Sequence, residues 1–179
     1  MSIDHSQGPL TGIRVVDMSV MISGPLAGMT LADQGAEVIK VESPGLGDMM
    51  RYLGSQKNGI TGIYALHNRG KKSLVVDLKK PEGTEVLRSL VATADVLIQN
   101  FRPGAVERLG FGYEDVSAIN PNIVYVSIAG FGVDGPSSNR RVYDNVIQAA
   151  SGLASVQTDA ATGKPAIFKH LICDKVTAY

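Results

Sequence analysis

Ile13-Arg-Val-Val-Asp17 is followed by Met18-Ser-Val-Met-Ile-Ser-Gly-Pro25 and, beyond Gly35, by Glu37-Val-Ile-Lys-Val-Glu42. The first and last blocks read as short strands rich in β-branched side chains. Pro25 suits the first turn of a helix, where its missing N–H costs nothing. Leu26, Met29, Thr30 and Asp33 continue at helical spacing until Gly35, a natural residue just past a helix end. Strand, helix and strand in this order form a βαβ unit, hence a parallel pair joined by a right-handed crossover.

Working outward, the same alternation recurs. Leu74-Val-Val-Asp-Leu78 reads as a third strand, and Lys80-Pro81-Glu82-Gly83 opens a helix with the apolar stripe Val86, Leu87, Leu90 and Val91. Val96, Leu97 and Ile98 form a buried strand that stops at polar Gln99 and Asn100. Arg102-Pro103-Gly104 turns the chain, and Ala105 to Leu109 begins a helical stretch that carries Arg108. Tyr113 to Ile119 is a short helix closed by Asn120-Pro121, and Ile123-Val-Tyr-Val-Ser-Ile128 is a fifth strand. The strands thus end in polar or glycine-rich loops at one edge of a parallel sheet, where ligands of open α/β folds lie. The predicted class is α/β, a Rossmann-like parallel sheet with flanking helices.

Other stretches are less regular. Residues 1–9 read as a flexible arm ending at Gly8-Pro9, and 10–179 as the folded part. Ser43-Pro-Gly-Leu-Gly-Asp48 is a glycine-rich turn without the spacing of a nucleotide fingerprint. Residues 49–66 show no clean period and read as a loop followed by a short helix. Arg69, Lys71 and Lys72 form either a solvated turn or a clamp for a phosphate group. Beyond Arg140-Arg141-Val-Tyr-Asp144, a helix is expected over Val146 to Leu153 and a hairpin or linker over 155–166. Ile167 to Tyr179 begins another element with no capping residue, so a longer protein is expected.

Composition narrows the partners. The 179 residues carry 17 Lys+Arg against 17 Asp+Glu, so no net field favours nucleic acid or an acidic membrane. An anion site must be built locally. The single cysteine, Cys173, excludes an internal disulfide and a cysteine-based zinc cluster, and fits a reducing cytoplasm. No apolar run approaches the ~18 residues of a membrane-spanning helix, and residues 1–10 show no signal-peptide pattern. A cytoplasmic protein is expected, with no metal site.

Taken in order, the segments resemble the N-terminal part of a class III CoA-transferase, the group of formyl-CoA transferases, carnitine CoA-transferases and α-methylacyl-CoA racemases. The resemblance rests on Gly12-Ile-Arg-Val-Val-Asp17, Gly24-Pro25, Gly35-Ala-Glu-Val-Ile-Lys-Val-Glu42, Gly47-Asp48 and Asn68-Arg-Gly-Lys-Lys-Ser73. Asp77-Leu-Lys79, Pro81-Glu-Gly83, Ala94-Asp-Val96, Asn100-Phe-Arg-Pro-Gly104 and Arg108-Leu-Gly110 continue it. Asn120-Pro121, Gly130-Phe-Gly132 and Gly135-Pro136 complete it. No segment is diagnostic alone; their ordered sum is specific.

The resemblance implies that this is a portion of a larger fold, with a sheet completed by C-terminal residues and two subunits interlinked as a homodimer. It implies transfer of coenzyme A between carboxylic acids, with coenzyme A as substrate and no prosthetic group. Asp174, in His170-Leu-Ile-Cys-Asp-Lys175, matches the family's nucleophile. Its carboxylate would form a mixed anhydride with the acyl group, then a thioester with CoA. The position precedes a helical stretch, as an N-cap does, and a helix N-terminus would lower the carboxyl pKa. Coenzyme A contacts carry over to Ile22 and Ser23, to Leu66, Asn68, Arg69 and Lys71, and to Asn100, Phe101 and Arg102. Arg108, Arg141, Tyr143 and Asp144 complete the set.

Tyr143 stands where the racemase branch places a histidine, and a phenol is a poor base at neutral pH, which favours transferase over racemase. Ser43 stands where the formyl-CoA enzyme has an adenine-side arginine. Cys173 is read as structural and His170 as a packing or surface residue. The alternatives are an acyl-CoA racemase or epimerase, and a non-catalytic CoA-binding fragment.

Overall fold

The computed structural model describes residues 8–179. In β1 (Arg14–Asp17), Val15 and Val16 are fully buried in two different core clusters, so this strand is covered on both faces. α1 (Ser23–Asp33) lies over the face that holds Val15, Val38 and Ile98. It ends in a Schellman motif: the Gly35 N–H donates to Ala32 O at 3.0 Å and the Ala36 N–H to Leu31 O at 3.1 Å. Gly35 takes φ +98° there, which a side chain would resist. β2 (Glu37–Glu42) then pairs parallel to β1, with Arg14 opposite Glu37.

A 3₁₀ turn (Met49–Arg51) and a small hairpin, β3 (Gln56–Lys57) with β4 (Ile60–Thr61), precede α2 (Gly62–Asn68). The sequence reading expects only loop before this helix. Asn58 and Gly59 close the hairpin at φ +53° and +77°, the backbone of a two-residue type I′ turn.

β5 (Lys72–Val75), α3 (Pro81–Val91), β6 (Val96–Gln99), α4 (Ala105–Arg108), α5 (Tyr113–Ile119) and β7 (Val124–Ser127) continue the alternation. β5 pairs earlier in the chain than the apolar run Leu74–Leu78 suggests. Past Val76, whose N–H still reaches Glu42 O at 2.9 Å, Asp77 turns the chain by accepting the Lys79 N–H at 3.0 Å. Val76 and Leu78 therefore pack on the core outside the ladder.

All five long strands are parallel, in the order β5-β2-β1-β6-β7. The order reverses between β1 and β6, and the crevice outside the carboxyl ends of those two strands is the switch point of the sheet. On the face opposite α1, Leu87, Val91, Val106, Phe111 and Val116 from α3 to α5 pack on Val16 and Leu97. Burying a side chain of this kind stabilises by about 1.5–3 kcal/mol.

The last third crosses back over the α1 face. α6 (Asp144–Ala150) starts earlier than the expected Val146, and it ends before the expected Leu153 because Gly152 at φ +83° breaks the helix ahead of α7 (Leu153–Val156). Residues 157–166 double back through one antiparallel bridge, Thr158 with Pro165, before α8 (Ile172–Ala178) packs beside α1 and α6. Of the expected arm, residues 1–7 lie outside the described residues; the Gly8 N–H is held by Thr11 Oγ1 at 2.9 Å, and the Leu10 N–H by Gln34 O at 3.0 Å. No helix among the described residues is long and apolar enough to cross a membrane.

Candidate active site

A cleft of about 640 Å³ opens at the switch point. Its walls are the β1–α1 loop (Val20, Met21, Ser23), the β6–α4 loop (Asn100 to Pro103), the loop from Ile128 to Tyr143, and the starts of α6 and α8. Asn100 ties two of these walls together. Its Oδ1 accepts the Val20 N–H at 2.9 Å, and its Nδ2 donates to Val20 O at 2.7 Å. Gln99 fixes the next residue by accepting the Phe101 N–H at 2.8 Å, while its Nε2 donates to Ser127 Oγ at 2.8 Å.

Three arginines, Arg102, Arg140 and Arg141, line this cleft. All three residues are exposed, and none has a side-chain hydrogen bond or ion pair among the described residues. Unpaired arginines around a concave surface suit a ligand bearing several negative charges.

At the inner end stand two carboxylates. Asp144 opens α6, is 3% exposed, and accepts the Asp174 N–H at 2.9 Å. Its other oxygen accepts from Gln148 Nε2. Gln148 is fully buried; its Nε2 also donates to His170 O at 3.0 Å, and its Oε1 accepts the Phe168 N–H at 2.7 Å. One amide side chain thus anchors the approach to α8. The Asp174 carboxylate is half-buried and has no hydrogen-bond or ion-pair partner among the described residues.

Asp174 is not the N-cap that its place in the sequence suggests; Leu171 is, and Asp174 sits within the first turn of a seven-residue helix. Its carboxyl is pushed up rather than down. Burial is the main cause, and the negative charge of Asp144 adds to it. A helix this short offers little dipole against both. The same surroundings, burial first, push the neighbouring Cys173 thiol up, which keeps it protonated and a weak nucleophile.

Of the residues carried over from the resemblance, the cleft gathers Ser23, Asn100, Phe101, Arg102, Arg141, Tyr143, Asp144 and Asp174. The others lie elsewhere. Ile22 is 2% exposed beneath the β1–α1 loop. Lys71 turns inward, its Nζ donating to Asp17 at 2.7 Å, to Pro25 O at 2.8 Å and to Asn68 Oδ1 at 3.0 Å. Burial pulls its ammonium pKa down against the attraction of Asp17. Arg69 pairs with Asp33, Leu66 is exposed on α2, and Arg108 stands exposed on α4.

The sequence reading also passed over several lining residues. Val20, Met21 and Arg140 line the main cleft. A second, smaller cleft of about 170 Å³ lies past Phe101, between the ends of β2 and β5; Val76 and Lys79 line it, together with Ser43, already singled out in the sequence. Val20 and Phe101 belong to both, so the two form neighbouring stations along one sheet edge. The available signals were Arg140 beside Arg141, and Lys79 within Asp77-Leu-Lys79.

The sequence model of a family described as CoA-transferase family III matches residues 10–179. The chain belongs to CoA-transferase family III. Among relatives in the family, the human (Homo sapiens) succinyl-CoA:glutarate CoA-transferase is 44% identical over 88% of this chain and 36% of its own length. The formyl-CoA:oxalate CoA-transferase of Rhodopseudomonas palustris (strain BisA53) is 41% identical over 94% of this chain and 39% of its own. A crystal structure of a CAIB/BAIF family protein from Brucella suis superposes with a TM-score of 0.87 at 40% identity, covering 94% of this chain and 46% of that one. The chain therefore spans less than half the length of the CoA-transferase family III members it matches.

Proposed function

We propose that the protein carrying this chain transfers coenzyme A between carboxylic acids, with Asp174 as the nucleophile. The observation that carries the reading is a half-buried carboxylate in a cleft at the sheet's switch point, lined also by three arginines, none of these four side chains having a partner among the described residues. The raised affinity of that carboxyl for protons also marks a carboxylate poorly stabilised by its surroundings, and therefore reactive towards a carbonyl carbon. The named activities of the relatives, succinyl-CoA with glutarate and formyl-CoA with oxalate, belong to the same class of exchange.

In this reading Asp174 attacks the acyl carbon of the donor thioester, the C–S bond breaks, and a mixed anhydride and CoA thiolate result. The thiolate attacks the Asp174 carbonyl carbon, expelling the donor acid and leaving an enzyme–CoA thioester. The acceptor carboxylate then displaces the thiolate to form a second anhydride. Thiolate attack on the acceptor's acyl carbon returns Asp174 and releases the new thioester. Asp144 holds the backbone of Asp174 in place throughout. The arginines pair with phosphate oxygens of CoA, and the smaller cleft past Phe101 takes a further part of the same elongated molecule. The reading includes an interlocked homodimer in the cytoplasm.

The test is chemical trapping in the full-length protein. Incubation with an acyl-CoA should give a covalent CoA adduct that hydroxylamine converts to a hydroxamate at Asp174, detected by peptide mass. An adduct that persists in Asp174→Ala overturns the assignment. Exchange of an α-deuteron without CoA transfer would instead indicate a racemase.

A further inference from the structure

Met21 is left-handed, at φ +70°, and the other non-glycine residue with positive φ among the described residues is Asn58 in its hairpin turn. Asparagine tolerates this region; an unbranched apolar side chain gains nothing from it. Such a conformation persists only where its surroundings impose it.

Here they do so from below. The Met21 N–H donates to Asp48 Oδ1 at 3.1 Å. Asp48 is fully buried, and its other oxygen takes Lys40 Nζ at 3.0 Å. Lys40, itself 1% exposed, also donates to Ser19 O, so one ammonium fixes both the acid and the loop it holds. On the other side Val20 is pinned at both backbone groups by Asn100. Asp48 does not line the cleft, whereas Val20, Met21 and Ser23 do.

We propose that Asp48, locked by Lys40, is a positioning residue that holds Met21 left-handed and so sets the cleft wall against which coenzyme A lies. The proposal rests on the CoA-transfer reading for its ligand and on the backbone for its mechanism. A loop released from Asp48 relaxes towards ordinary backbone and spends less time in the binding shape. Affinity falls in proportion to that lost population.

The experiment measures CoA binding by calorimetry and amide hydrogen exchange at Met21 in the full-length protein. Asp48→Asn keeps the size of the side chain but sets an NH₂ against either Lys40 Nζ or the Met21 N–H. It should weaken CoA binding about tenfold and speed exchange at Met21. Adding Met21→Asn, a residue that accepts positive φ, should recover affinity to within about threefold. Unchanged affinity in Asp48→Asn, or no recovery in the double variant, overturns the proposal.

If Asp48→Asn does not fold, Met21→Val and Met21→Asn decide, because both leave the Lys40–Asp48 pair intact. The β-branched valine resists the left-handed region and should bind about tenfold more weakly than the asparagine variant; equal affinities overturn the idea. A wild-type protein that fails to bind CoA overturns the transfer reading instead. Unchanged Met21 exchange in Asp48→Asn would then sink the positioning role separately.

Discussion

Asp174 binds its proton more tightly in the folded chain than in the unfolded one, because burial and Asp144 disfavour its charge. Between the unfolded carboxylate value and the raised native pKa the folded state keeps a proton that the unfolded chain has given up, so stability falls as pH rises through the native pKa. Asp174→Asn should raise Tm at neutral pH while abolishing the CoA adduct. The gain in Tm should shrink as pH is lowered and vanish below the unfolded pKa; a gain that is flat with pH would remove titration of Asp174 as its cause. Lys71 is also resisted by burial, but unlike Asp174 it has a charge partner. Its ammonium is enclosed with Asp17, so Lys71→Ala should cost about 3–5 kcal/mol in urea unfolding by leaving a buried carboxylate unpaired. A loss near zero would show that Asp17 finds another partner or takes a proton. Residue chemistry was only partly legible in the sequence. The cations at 69–72 announce themselves, but whether each faces solvent or the space under β1 depends on an aspartate more than fifty positions away.

The 3₁₀ turn and the end of β2 are held together by Glu42. Burial pushes its carboxyl upward, but hydrogen bonds from Arg51, from the Asp48 N–H and from Tyr64 outweigh that effect and hold its pKa at about 2. The pairing stabilises fully above the ordinary carboxylate value of 4.5 and is lost as pH falls towards 2. It is worth on the order of 3 kcal/mol at neutral pH. Arg51→Ala should therefore move the acid-unfolding midpoint to higher pH, followed by far-UV circular dichroism. An unmoved midpoint would assign acid unfolding to other carboxylates. At this scale, periodicity found β1, β2, β6 and β7 but misplaced β5, since an apolar run shows what is buried and not which residues pair. Asp48 was visible as the last residue of a glycine-rich turn and in the Gly47-Asp48 pair of the resemblance, with no sign of its burial. Its burial arises from packing against Lys40 and the β1–α1 loop, which no local pattern encodes.

Across the whole molecule, the sheet runs β5-β2-β1-β6-β7 and leaves β5 and β7 without an outer neighbour among the described residues. Val75 and Val124 on those edge strands are 59% and 58% exposed. Residues 1–179 prepared alone should self-associate through these edges, and Val75→Lys with Val124→Lys should suppress it. Light scattering against concentration reads this directly, and equal scattering from both proteins would place the contact elsewhere. The parallel architecture and the edge that carries the cleft were legible because each strand ends in polar or glycine-rich residues. The reversal of strand order that opens the cleft was not, since it depends on which edge each crossover chooses. The excursion between α7 and α8 closes at its own base, where the Ala166 N–H donates to Gln157 O at 2.7 Å and Gln148 receives Phe168 just beyond. Its exposed tip, Asp159 to Thr162, bonds only within itself among the described residues and to Lys164 and Gly163 at its foot. Extra chain spliced in after Ala160 would extend outward while both ends stayed fastened. A peptide tag or fluorophore could ride at that point as a passenger without shifting Asp174.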